Sequence, residues 1–172
     1  MRRGVSILEL LLVLLILGTL AGLAIPRFGG SLVRYRVEQA ADRVARDLAA
    51  ARELARASSS NVTISFDANT NRYTIPALPD PDHPNDSYGV DLSAQPYEAD
   101  LSNAAFGVNK NLTFNGYGLP DNDGAVTVVV GDEIRYVLVS SDSGAISVST
   151  TQIFSEGVGE GVGTPAMIPL SP

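Results

Sequence analysis

A lone glutamate, Glu9, stands before sixteen consecutive uncharged residues, Leu10 to Ile25, and behind a short basic leader, Met1-Arg2-Arg3-Gly4. An ionisable side chain in an apolar segment of membrane length is costly and is kept for a function, although a place near the segment's end lets the interface relieve it. The chemistry open to Glu9 is ion pairing; the bland alternative is an acid snorkelling at the end of a simple anchor. Two other clusters carry metal-ligand residue types, Asp80-Pro81-Asp82-His83-Pro84-Asn85-Asp86 and Asp121-Asn122-Asp123-Gly124. Carboxylate and amide oxygens suit calcium, but prolines break any regular ligand loop in the first, and the second lacks the glutamate that completes an EF-hand. A surface loop and a turn are expected there, with no metal and no cofactor. The chain has no cysteine and one histidine, no glycine-rich phosphate loop and no recognised catalytic spacing, so an enzyme is not expected.

The element that must position Glu9 is a long helix. Val5 to Ile25 is about 21 residues, close to the roughly 20 that cross a bilayer as α-helix. Apolar character runs on to Pro26 and helical periodicity resumes beyond it, which argues against a cleaved secretory signal. Arg2 and Arg3 mark the leading end as cytoplasmic, so the remainder faces outward. From Arg27 to Ser60 the helix continues: Val33, Val37, Ala41, Val44, Leu48, Ala51 and Ala55 share one face, while arginines and acids fill the others. Pro26, Gly29 and Gly30 place a kink or short break between the halves. The serines at 58–60 with Asn61 favour local side-chain bonds and end the helix. A helix of this length, about 80 Å at 1.5 Å per residue, outruns any bilayer. Its outer half therefore needs a cover of its own, and a sheet fits its short, alanine-rich stripe better than a coiled-coil partner.

Alternation supplies that sheet. Val62 to Phe66 and Arg72 to Ile75 flank a turn-rich bridge and predict a hairpin; Asn111 to Phe114, Ala125 to Val130, Glu133 to Val139 and Ala145 to Ser149 follow. Gly131-Asp132 is a two-residue hairpin signal, so the last three strands predict an antiparallel meander. The fold class expected is α+β, a helix packed on an antiparallel sheet. Residues 76–110, rich in proline and acid, are expected as one long surface loop that cannot be a central strand.

The stretch Gly4-Val5-Ser6-Ile7-Leu8-Glu9-Leu10 resembles the processing motif of type IV pilins and type II secretion pseudopilins. That resemblance implies that a prepilin peptidase cuts between Gly4 and Val5, that the new amino terminus of Val5 is methylated, and that Glu9 is the fifth mature residue. Phenylalanine is usual where this chain has Val5, and Pro26 matches the family's helix-kinking proline. Further on, Ala51-Arg52 and Ala55 leading into Val62 to Phe66, then Leu112-Thr113-Phe114-Asn115-Gly116-Tyr117-Gly118, look like the general secretion pathway protein H (GspH) and FimT family. The resemblance implies a pilin-like fold with a leader at 1–4, an assembly and transmembrane helix at 5–26, an amphipathic helix at 27–60, a β head at 61–149 and a flexible tail at 150–172. The function it implies is that of a minor pseudopilin in a type II secretion pseudopilus exporting folded proteins. The alternative is a minor type IV pilin in pilus biogenesis, adhesion or DNA uptake. Its partners would be other pilin or pseudopilin subunits, the prepilin peptidase, an inner-membrane assembly platform and membrane lipid, with the head in the periplasm.

Charge separates these roles. The chain carries a net charge of -7, and from Asn61 onward three bases, Arg72, Lys110 and Arg135, face fourteen acids. Such a head repels a polyanion, and nucleic acid is not expected as a partner because its capture needs a basic patch. The outer helix does hold seven arginines against four acids, but packing competes for them.

Overall fold

The computed structural model describes residues 6–81, 83, 86–106 and 110–151, with the helical backbone alone described over 21–29. One helix of 52 residues, α1 (Ile7–Ser58), leads into eight strands. Ser6 caps its start in an extended conformation, the hydroxyl accepting from the Leu8 N–H, which satisfies one of the donors that every helix N-terminus leaves open. At the other end Ser59 turns left-handed at φ 49°. The N–H groups of Ser59 and Ser60 reach back to Arg56 and Ala55, and the Ser58 hydroxyl donates to the Leu54 carbonyl at 2.7 Å. The serines thus end the helix through local bonds. The backbone passes through Pro26, Gly29 and Gly30 without a break.

The strands are β1 (Val62–Asp67), β2 (Arg72–Pro79), β3 (Ser87–Asp91), β4 (Asp100–Phe106), β5 (Asn111–Phe114), β6 (Gly124–Val130), β7 (Glu133–Val139) and β8 (Ile146–Ser149). They form two antiparallel four-stranded sheets, ordered β3-β2-β1-β5 and β4-β6-β7-β8. The expected β1–β2 hairpin and the β6–β7–β8 meander are both present, with Gly131 at φ 57° in the β6–β7 turn. The single expected sheet is two, because β5 crosses back to pair with β1 rather than with β6.

The long loop expected over 76–110 is corrected by the structure: β2 runs on to Pro79, and β3 and β4 lie within the range. The physical reason is position. β3 and β4 are edge strands, where one side of the ladder needs no partner, and the prolines at 76 and 79 fall at a register shift and at the strand's end. Between β3 and β4, Leu92 and Ala99 drop into the core.

The core lies between the inner faces of both sheets and α1. Val37, Ala40, Ala41, Val44, Leu48, Ala51 and Ala55 are all fully buried. They pack with Ile64, Ile75, Leu112 and Phe114 from the first sheet and Leu101, Val126, Val128 and Val137 from the second. Phe66 on β1 stacks on Phe106 of β4, centroids 5.5 Å apart, and closes the seam between the sheets. Each fully buried Val, Leu, Ile or Phe contributes about 1.5 to 3 kcal/mol, so the outer half of the helix finds its cover within the chain.

Candidate functional site

The two halves of α1 differ in what covers them. Beyond Val33 the apolar stripe is sealed by the sheets, but from Ile7 to Leu20 every described large apolar side chain is exposed, from 81% at Ile7 to 59% at Leu20. A helix apolar on all sides is stable only when something surrounds it, protein or lipid. Among the described residues no helix is long and apolar enough to cross a membrane; the described side chains of this run end at Leu20, short of the roughly 20 residues a crossing needs.

Glu9 sits in the first turn of this half. The positive end of the helix dipole favours a carboxylate there, beside the Ser6 hydroxyl that caps this end by accepting from the Leu8 N–H. Among the described residues no side chain pairs with Glu9. Gly4 and Val5, the expected cleavage pair, lie outside the described residues. Pro26 lies in the helical backbone, which removes one donor from the i→i−4 ladder. Thr19, the polar exception nearby, satisfies itself by donating to the Ile16 carbonyl at 2.8 Å.

What fastens this projecting rod to the head is a cluster that sequence reasoning missed. Asp47, on α1, uses one oxygen, Oδ2, to accept from Tyr73 Oη at 2.5 Å, Tyr88 Oη at 2.7 Å and Arg43 Nε at 3.1 Å. Arg43 Nη2 also donates to Tyr88 Oη at 2.5 Å. Burial, then the Asp47 charge, holds the Tyr73 phenol far above its ordinary range. Burial and the hydrogen bond to Asp47 push Tyr88 up to about 12. The hydrogen bond to Tyr88 above all, together with Asp47, raises Arg43. Near neutral pH both phenols keep their protons and Arg43 its charge, so the cluster ties the helix to β2 and β3 rather than moving protons. Reading Arg43 and Asp47 as solvent-facing hid it. The available signal was Tyr73 and Tyr88 on the inward side of their strands, since a buried phenol needs a polar partner.

A second fastening joins α1 to β7. The Arg135 side chain is 7% exposed, and its Nη2 donates to Glu38 at 3.0 Å while Nη1 reaches Glu133 at 3.2 Å. Arg36 pairs with Glu98, which tethers the chain ahead of β4. Arg52 Nη1 donates to the Gly144 carbonyl at 2.8 Å, near the far end of the helix. Four arginines of the outer helix, Arg34, Arg36, Arg43 and Arg52, thus reach the head.

The calcium-like segment is a turn brace. Asp121 Oδ1 accepts from the Thr113 N–H and Asp123 Oδ1 from the Ser141 N–H, so these oxygens face backbone donors. His83 is exposed, its N–H donating to Asp80 Oδ1. Among the described residues no three histidine, cysteine or acidic side chains gather as a metal site.

With this geometry in hand, comparisons place the chain among known proteins. The family model for the type II transport protein GspH matches residues 40–151. Among curated proteins none matches. The crystal structure of the type IV minor pilin FimU of Pseudomonas aeruginosa (strain PAO1) is similar in fold, with a TM-score of 0.51 at 16% identity over 67% of this chain and 90% of that one. At that identity the likeness speaks for the fold, which is the pilin-like α+β arrangement of a long helix on antiparallel sheet.

Proposed function

This chain belongs to the type II transport protein GspH family, and from that membership we propose that it is a minor pseudopilin, a structural subunit of a type II secretion pseudopilus taking part in the export of folded proteins. Family and fold are those of pilin-like structural subunits. The observation that carries the reading is the contrast along α1: a head with its own buried core, and a projecting apolar rod that begins with Glu9, which has no side-chain partner among the described residues.

In this reading a prepilin peptidase cuts between Gly4 and Val5 and the Val5 amino group is methylated. The rod, residues 5–26, holds the subunit in the inner membrane with its head in the periplasm until an assembly platform adds it to the filament. Glu9 then meets the positive amino terminus of a neighbouring subunit. Two unit charges about 4 Å apart attract by roughly 1 kcal/mol in water and about 4 at an effective dielectric of 20, so the apolar surroundings make the pair selective. An unpaired carboxylate there is penalised, which biases each rod to pack beside another. Pro26 bends the rod where it leaves this packing.

The fold likeness to a type IV minor pilin supports a neighbouring reading, a minor pilin of a surface pilus that uses the same assembly chemistry. The deciding experiment is deletion of the gene in its native cells. Loss of folded exoproteins from the medium with pili intact supports secretion; loss of surface pili with secretion intact assigns the pilus; loss of neither overturns both.

A further inference from the structure

The outward N–H and C=O groups of a sheet edge are a template for another strand unless the edge is guarded. Among the described residues the two sheets have four edges, and three are guarded. On β5 the Thr113 N–H donates to Asp121 Oδ1 at 3.1 Å and its carbonyl accepts from the Asp121 N–H at 2.9 Å. β4 is interrupted by a register shift between Leu101 and Asn103, and β8 has only four residues. β3 differs: it pairs in regular register with β2 from Tyr88 to Asp91 and carries no lysine or proline. The Leu92 N–H donates to the Asn71 carbonyl at 2.9 Å, which fixes the phase of this ladder, because opposed residues alternate between bonded and non-bonded pairs. Tyr88 and Val90 therefore turn their backbone groups to β2, and Gly89 and Asp91 turn theirs away. Among the described residues nothing meets those outward groups.

We propose that the β3 edge takes an added antiparallel strand from a partner protein, a segment that reads base, apolar, aromatic, apolar, base. The rows that cross the sheet supply this pattern, since side chains in register share a face and interact. On the outer face Asp67, Arg72 and Asp91 form one row, acid, base, acid, and a base on the next strand continues it. Ser93 occupies only Oδ1 of Asp91. At the other end of β3 the exposed Asp86 offers a place for a second base. The next outer row is Ser65, Thr74 and Gly89; the glycine leaves its place empty, and an aromatic side chain on a neighbouring strand covers such an edge glycine. On the inner face Phe66, Tyr73 and Val90 form a row, and Val90 and Tyr88 pack against the core, so apolar residues extend that side. A second copy of β3 fits poorly. Paired antiparallel about Gly89, it sets Asp91 of one copy beside Ser87 and next to Asp86 of the other, acid near acid. In strand addition the main chain supplies affinity and alternate side chains choose the partner.

Strand addition is read at the backbone. In the full chain in detergent micelles, amide hydrogen exchange is followed by NMR as a synthetic lysine-valine-tyrosine-valine-lysine peptide with blocked ends is added. The expected result is about tenfold slower exchange at Gly89 and Asp91 at saturation, with Tyr88 and Val90 unchanged. Replacing both lysines of the peptide by glutamate is expected to weaken binding about tenfold. Gly89→Pro removes the outward N–H and spares the β2 ladder, a position where an edge strand accepts proline, and is expected to abolish binding. A peptide N-methylated at its tyrosine nitrogen, opposite Gly89, is expected to fail on the native chain, which keeps the test decisive if Gly89→Pro does not fold. No protection at peptide concentrations into the millimolar range overturns the proposal, and so does equal binding of the glutamate or the N-methylated peptide. Protection that grows with the concentration of the chain alone also overturns it and assigns the edge to a second copy.

Discussion

Asp47 and Tyr73 meet across the seam between helix and sheet, the phenol donating to the carboxylate at 2.5 Å. The same oxygen takes the Tyr88 hydroxyl and Arg43. One acceptor thus binds α1 to two strands. Replacing Asp47 by alanine leaves buried donors unpaired and is expected to cost about 2 to 4 kcal/mol, while Tyr73→Phe costs about 1 to 2. Denaturant unfolding checks both; a loss under 1 kcal/mol for Asp47→Ala contradicts the role.

The same cluster sets a response to alkali. The folded chain holds the Tyr73 and Tyr88 protons more tightly than the unfolded chain, where phenols titrate near 10. Their contribution is full below about pH 10 and is lost as pH rises toward 12, because the unfolded chain releases protons the folded chain keeps. Stability measured between about pH 8 and pH 11 is expected to fall over the upper part of that range, less steeply in Tyr88→Phe.

Arg135 and Glu38 are unequal partners. Arg135 is nearly enclosed and Glu38 half exposed. Glu38→Gln is expected to cost under about 1 kcal/mol, as exposed ion pairs do. Arg135→Ala removes buried packing as well and is expected to cost about 2 to 3 kcal/mol. Equal losses would contradict this asymmetry.

Gly124 has no room for a side chain. An added Cβ would lie 2.0 Å from Phe106 Cδ1 and 2.4 Å from the Ala105 carbonyl oxygen, and the second is backbone that cannot turn aside. Gly124→Ala is expected to cost about 2 to 3 kcal/mol through overpacking at the β4–β6 seam. Gly30→Ala meets nothing within 4 Å and is expected to leave unfolding unchanged or slightly improved, since alanine is the better helix former by up to about 1 kcal/mol.

Much of this was legible in the sequence because it is periodic. The spacing of Val37, Ala41, Val44 and Leu48 named the buried face of α1, the serines named its end, and Gly131-Asp132 named the last hairpin. The division into two sheets was not legible, because alternation marks strands and not their partners: Leu112 reads the same beside Ile64 as it would beside Val126. β3 and β4 were hidden by proline and acid, which edge strands tolerate and inner strands do not. The Asp47 cluster was hidden because charged residues on a helix are read as solvated until an inward tyrosine claims them.

Glu9→Ala is expected to keep the fold, since among the described residues no side chain of the head pairs with Glu9, and to lower recovery of the protein in sheared or pelleted filaments at least tenfold, from loss of pairing worth about 1.4 kcal/mol or more. Recovery at the level of the native chain would contradict the assembly role of the carboxylate.

The central claim is that the apolar rod, trimmed at its leader, persists as the part by which subunits stack. The mass of the amino-terminal peptide of the protein from its native cells tests this most directly. The account requires a chain beginning at Val5 with one added methyl group. A chain that still begins at Met1, or one that begins beyond Ile25 and has lost the rod, would contradict it.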